Sequence, residues 1–175
     1  MLDREFDDRP EWLDVSRETF EALWRFADLV RHWTQRINLI SPGTVPQLWE
    51  RHVLDSAQLY FQIKTACVWV DLGSGGGFPG IVLAILARNT ATRFHLVESD
   101  QRKAAFLRKA ASDMGLNVQI HAARAEQLVP LEADIVTARA LAPLESLLPL
   151  VARHLAPNGI AILPKGVKAA EEIAQ

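Results

Sequence analysis

Apolar residues recur at helical spacing in the first third of the chain and in short strand-like runs in the rest. Between Ser16 and about Arg36, Phe20, Leu23, Ala27 and Val30 form one stripe, with Trp24 beside it. Glu21, Arg25, Asp28 and Arg31 cover much of the other side. This period predicts an amphipathic helix. Ser16 suits its N-cap, and Glu18 in the first turn suits the helix dipole. Ser41-Pro42-Gly43 predicts a turn. Thr44 with Gln47 fits a capping box, Pro46 lies in the first turn, and a second helix is expected to run to about Gln62. Residues 1–65 therefore read as an acidic tail and a helical cap, packed on a core formed by residues 66–175.

From residue 67 the pattern changes. Strands are expected at Cys67–Asp71, Arg93–Glu98, Asn117–Ala122, Asp134–Ala138 and Gly159–Leu163. Helical patterns fall between them, at Ile81–Ala87, Gln101–Met114, a short turn near Ala125–Leu128, and Leu144–Leu155. Strands alternating with helices at this spacing imply an α/β fold, with a parallel sheet covered on both faces. Cys67, the sole cysteine, precedes an apolar strand and is expected to be a small buried core residue. One cysteine forms no disulfide within the chain and makes a cysteine-based zinc site improbable.

Composition narrows the picture. A chain of 175 residues with 49% hydrophobic and 23% charged residues is expected to fold as one domain rather than stay disordered. The start of the chain is charged, so no signal peptide is read, and no apolar run reaches the roughly 18 residues of a membrane span. A cytoplasmic protein with no membrane attachment is expected. The formal net charge of −2 lacks the basic excess common in nucleic-acid binders.

The densest chemical signal is Asp71-Leu72-Gly73-Ser74-Gly75-Gly76-Gly77-Phe78-Pro79-Gly80, between a predicted strand and a predicted helix. Glycines there let the backbone turn tightly and approach a ligand closely. Gly75, Gly77 and Gly80 satisfy the dinucleotide pattern G-x-G-x-x-G, which alone is weak. Asp71, Gly73, Gly75 and Gly77 give the order D-x-G-x-G-x-G, similar to the first motif of Rossmann-type methyltransferases. Asp71 at the strand end is expected to meet the ammonium group of S-adenosylmethionine. Glu98, ending the second strand, is expected to accept hydrogen bonds from ribose hydroxyls. That acid suits a nucleoside ligand of either kind, so it does not separate S-adenosylmethionine from NAD.

A longer resemblance does separate them. Asn38-Leu39, Arg51-His52-Val53-Leu54-Asp55-Ser56, the glycine loop, Arg102-Lys103, Phe106-Leu107, Arg124-Ala125-Glu126, Arg139-Ala140-Leu141-Ala142-Pro143-Leu144 and Pro164-Lys165-Gly166 run in this order. Together they resemble the bacterial small-subunit rRNA methyltransferase G family, also called glucose-inhibited division protein B. The resemblance implies a Rossmann-like class I S-adenosylmethionine-dependent methyltransferase sheet. It also implies methylation of guanine N7 at one site in 16S rRNA, with 16S rRNA or a small-subunit ribosomal particle as partner. Gly73, Phe78, Ala125, Glu126 and Arg139 are its implied cofactor contacts. Members of the family continue past the fifth strand into an antiparallel hairpin, whereas this sequence stops at Gln175, as a fragment or a truncated protein would.

Guanine N7 carries a free lone pair, so no base must first remove a proton and positioning becomes the main task. Arg139, expected at the carboxyl end of the fourth strand, is the candidate for bridging cofactor and target nucleotide. Lys165, ending the fifth strand, is a candidate phosphate contact. Arg51, His52 and Asp55 read either as docking the helical cap on the sheet domain or as lining the RNA or methionine end of the cleft, and Arg51 and Asp55 are spaced to pair on a helix. No metal site is expected around His52, because no second ligand lies at metal spacing. Arg102, Lys103, Arg108 and Lys109 make a basic helix that reads as a solvated face or an RNA strip. A monomer is expected. The alternatives are a methyltransferase acting on a small molecule or protein, and an NAD-dependent oxidoreductase.

Overall fold

The computed structural model describes residues 9–63, 66–139 and 141–164. Helix α1 spans Arg17–Thr34, and the Ser16 side chain caps it by accepting from Thr19 N at 3.3 Å. A 3-10 helix follows at Pro42–Gln47, then a π-helical segment at Trp49–Leu54 that leads into α2, Asp55–Phe61. The expected capping box at Thr44 is not formed. Thr44 lies inside the 3-10 turn, where its hydroxyl donates to Ser41 O at 2.8 Å.

The core alternates β1 (Val68–Leu72), α3 (Gly80–Leu86), β2 (Arg93–Val97), α4 (Gln101–Asp113), β3 (Val118–His121), β4 (Ala133–Ala138), α5 (Leu144–His154) and β5 (Leu155–Ile162). A short 3-10 turn, Ala125–Gln127, follows β3. All five strands are parallel, in the order β3-β2-β1-β4-β5. β1 is central and buried along its whole length, as expected of a strand covered on both faces. β5 begins at Leu155, four residues before its expected start, and its register against β4 shifts between Ala133 and Ile135. Leu155 opposes Ala133, so the chain pairs as soon as α5 ends, and Pro157 falls in the irregular stretch of an edge strand, where it is tolerated.

Alternation along the strands sorts the side chains. Trp69, Asp71, Phe94, Leu96, Ile135 and Thr137 stand in register on one face, and α3 packs there. Val70, Leu72, Val97, Val136 and Ala138 stand on the other and meet Leu147 and Val151 of α5. The cap adds a second layer outside α3 and α4. Phe26 packs on Phe78 at a centroid distance of 5.2 Å, Trp33 on Phe106 at 5.8 Å, and Trp24 stacks on Trp49 at 3.7 Å. One apolar cluster thus runs from Leu13 in the cap to Met114 at the end of α4.

Cys67 departs from expectation. It is exposed, because it lies one residue before β1, at the amino edge of the sheet. Only its backbone is engaged there: Cys67 N and Val68 N donate to Asp134 Oδ2 at 2.7 and 2.8 Å.

Candidate cofactor cleft and its arginine wall

The glycine loop leaves the carboxyl end of β1 and folds back over the tip of β2. Gly73 N and Ser74 N both donate to Val97 O, at 2.9 and 3.0 Å. Gly73, Gly75 and Gly77 adopt φ of +70, +52 and +88°, conformations that glycine takes without steric cost. At Gly76 the need is space: a Cβ there would stand 2.9 Å from Leu39 O of the cap. The loop is therefore pressed between sheet and cap. The peptide bond between Phe78 and Pro79, at its end, is cis.

Beside the loop lies a cleft of about 540 Å³, within the range of small-molecule sites. It takes in Gly73, Gly75, Phe78, Glu98, Ala125, Glu126 and Arg139, all expected at the ligand. Asp71 and Gly77 do not line it. Asp71 projects onto the α3 face beneath the loop, where its carboxylate accepts from Thr137 Oγ1 at 2.8 Å and Gly80 N at 3.2 Å. Burial pushes this carboxyl up to about 6, and hydrogen bonds from Thr137 and Gly80 oppose the rise. Asp71 therefore braces the loop from below instead of reaching the cleft. Gly77 faces the cap, where a Cβ would stand 2.8 Å from the Phe26 ring.

Glu98 lines the cleft and is also tied to the loop. Its Oε2 accepts from Gly75 N at 2.9 Å and its Oε1 from Asp100 N at 2.8 Å. Each oxygen keeps a second lone pair for a ligand hydroxyl. Asp100 in turn caps α4 by accepting from Arg102 N and Lys103 N. Glu98 thus sets the spacing between the glycine loop and the start of α4.

Arg139 closes the other end of the cleft. Its Nη2 lies 2.8 Å from His52 Nδ1, its Nη1 donates to Arg51 O at 3.4 Å, and its guanidinium carbon sits 5.5 Å from the centre of the Phe78 ring. A guanidinium can only donate, so His52 Nδ1 accepts and the ring carries its proton on Nε2. Nε2 lies 2.9 Å from Thr44 Oγ1. The bonds form a one-way chain, Arg139 to His52 to Thr44 to Ser41 O. Burial, with the charges of Arg139 and Arg51, lowers the His52 pKa to about 4. Burial also lowers the Arg139 pKa, against the raising effect of Asp71 and Asp55. Arg51 does not pair with Asp55. Its Nη1 instead reaches back to Gln47 Oε1, at the end of the 3-10 segment, at 3.5 Å.

Beyond Arg139 and His52 opens a second cavity of about 830 Å³, which Arg51 and Asp55 also line. Sequence reasoning missed several neighbours. Leu141 lines both cavities, and Ser99 and Lys103 line the first. Lys103 was legible only as one charge in a basic helix. Lys165 lies outside the described residues.

Solved structures share this architecture. The chain superposes with a TM-score of 0.56 on the precorrin-6y C5,15-methyltransferase of Geobacter metallireducens, at 19% identity over 79% of this chain and 70% of that one. A methyltransferase of Geobacter sulfurreducens in complex with S-adenosyl-L-homocysteine gives 0.53, at 19% identity over 79% and 54%. A parallel sheet of this order, with a glycine loop after its central strand, makes this fold that of the Rossmann-like class I S-adenosylmethionine-dependent methyltransferases. The model of the family described as rRNA small subunit methyltransferase G (GidB) matches residues 19–175, and the chain belongs to that family. It is 57% identical over 167 residues to the ribosomal RNA small subunit methyltransferase G of Cereibacter sphaeroides, covering 94% of this chain and 80% of the relative. With the same-named protein of Ruegeria pomeroyi it shares 52% over 163 residues, covering 92% and 80%.

Proposed function

We propose that this protein transfers a methyl group from S-adenosylmethionine to N7 of a guanosine in 16S rRNA. The observation that carries this reading, beside family membership, is the cleft between the glycine loop and Arg139. Its donor set suits the cofactor. Glu98 offers a carboxylate to ribose hydroxyls, Ala125 and Val97 offer apolar surface to the adenine, and the glycines let the chain lie close. Bound there, the cofactor supplies an electrophilic methyl group on a positively charged sulfur.

Every other contribution comes from the chain's own groups. Glu98 holds the loop through Gly75 N, and Asp71 holds it from below through Gly80 N. Arg139 marks the boundary between the cleft and the RNA side, where His52 and Arg51 stand. No general base is required. Residues 1–65 act as a cap on the methyltransferase core of residues 66–175. The partner is 16S rRNA or a small-subunit ribosomal particle, the protein acts as a monomer, and its compartment is the cytoplasm. Among the described residues, no helix is long and apolar enough to cross a membrane.

The test is isothermal titration with S-adenosylhomocysteine, with NADH as control, followed by methylation of small subunits that lack the modification. Binding of S-adenosylhomocysteine alone, and one labelled guanosine, are expected. Binding of NADH alone would replace the reading with an oxidoreductase. Cofactor binding without labelled rRNA would leave a methyltransferase of another substrate.

A further inference from the structure

We infer that the second cavity receives the target guanine and that Asp55 reads its Watson–Crick edge. The inference rests on the rRNA guanosine reading above. Three observations support it. The two cavities share His52, Arg139, Leu141 and Ala142 in their linings, so the site of a base in one adjoins the site of a cofactor in the other. Asp55 supplies the sole carboxylate among the described residues lining the second cavity. That carboxylate makes no hydrogen bond or ion pair with the described residues, although its charge is felt by Arg139.

The chemistry of guanine selects this arrangement. Guanine presents two adjacent donors, N1–H and the 2-amino group, which one carboxylate takes together. Adenine presents an acceptor at N1, which a carboxylate repels. N7 lies on the opposite side of the bicycle, so a guanine held at Asp55 by its Watson–Crick edge directs N7 away from Asp55. Two of the five Arg139 N–H donors are committed to His52 Nδ1 and Arg51 O.

The same contact favours the transition state. As the N7–carbon bond forms and the carbon–sulfur bond breaks, the sulfur becomes a neutral thioether and the purine ring takes up the positive charge. No proton moves. The ring's charge makes N1–H and the 2-amino group stronger donors, so their bonds to Asp55 tighten as methyl transfer proceeds. An interaction stronger in the transition state than in the ground state raises kcat more than it lowers KM.

The experiment compares small-subunit particles carrying guanosine or inosine at the methylated position, with the wild type and with Asp55→Ala and Asp55→Glu. Inosine lacks only the 2-amino group. The wild type is expected to prefer guanosine about tenfold in kcat/KM, the loss from removing one partner of a bidentate contact. Asp55→Ala should lower kcat on guanosine about 100-fold, bind S-adenosylhomocysteine as the wild type does, and treat the two particles alike within about twofold. Asp55→Glu should retain a preference for guanosine. Equal rates of the wild type on both particles, or a tenfold preference surviving in Asp55→Ala, would overturn the inference. The wild-type comparison stands even if the alanine variant does not fold. A wild type that binds S-adenosylhomocysteine but methylates neither particle would instead overturn the rRNA reading, and this inference with it.

Discussion

Thr137→Val isolates the support beneath the glycine loop. Thr137 Oγ1 donates to Asp71 Oδ1 at 2.8 Å and accepts from Trp69 Nε1 at 3.3 Å, and the residue is fully buried. Valine keeps the shape and removes the hydroxyl, so the Asp71 carboxylate loses one partner and the indole N–H is left without one. A stranded buried polar group costs about 1–3 kcal/mol, so a loss of about 3 kcal/mol is expected near pH 8. For a chain of this size that lowers Tm by about 6–12 °C. The loss depends on pH with a definite sign. The Asp71 pKa is raised from 3.8 to about 6, so its contribution to stability is complete below 3.8 and is lost as pH rises through 6. Removing a donor to the ionised form raises this pKa further. The deficit of the variant should therefore be larger at pH 8 than at pH 5, where the folded-state carboxyl is mostly protonated. Urea unfolding at both pH values measures it. A loss under about 0.5 kcal/mol at pH 8, or equal losses at both, would refute the bracing role of Asp71.

Gly75→Val places a β-branched residue at φ +52° in the loop, and S-adenosylhomocysteine affinity should fall at least about 100-fold by calorimetry with helical circular dichroism retained. Undiminished binding would remove the loop from the site. Glu98→Gln leaves either Gly75 N or Asp100 N facing an amide donor, so stability should fall by about 1–2 kcal/mol and cofactor affinity about tenfold. An unchanged affinity would mean the loop holds its shape without that carboxylate. His52 has its pKa lowered to about 4 from 6.5, so the stability contributed by its neutral ring is whole above 6.5 and fades as pH falls toward 4. The gap in urea stability between the wild type and His52→Ala should therefore be level from pH 7 to 8 and narrow between pH 6 and 4; a gap that widens on acidification would contradict the direction of the Arg139–His52 bond.

The strands and helices were legible because their periods are clear and their joints carry glycine, proline or a capping residue. That the glycine loop, Glu98 and Arg139 come together at one cleft was legible because each stands at a strand end, the edge at which open α/β sheets bind ligands. Asp71 lies beneath the loop for a reason that register makes plain. It pairs with Leu96, two residues before Glu98, so it lies about 6.6 Å deeper in the sheet than the acid that does line the cleft. Relative register between strands is a tertiary property that one strand's sequence does not contain. Thr137 shares that history, since it reads as an ordinary strand residue until β1 and β4 pair. Cys67 reads as core from its neighbours, and only the position of the sheet edge exposes it. The π-helical segment at Trp49–Leu54 carries no proline or glycine to announce it, yet it turns His52 toward Arg139.

The one-way chain from Arg139 to Ser41 spans almost a hundred residues of sequence, and the apolar cluster shared by cap and core spans as many. Synthesis delivers the cap first, with its apolar stripe facing partners not yet made. Phe26 must wait for Phe78, and Trp33 for Phe106. The arginine that fixes His52 arrives later still. During translation, the wall between the two cavities is therefore among the last parts to set. A nascent chain can already expose its glycine loop, but the wall that Arg139 forms with His52 is missing until the residues after β4 have been made.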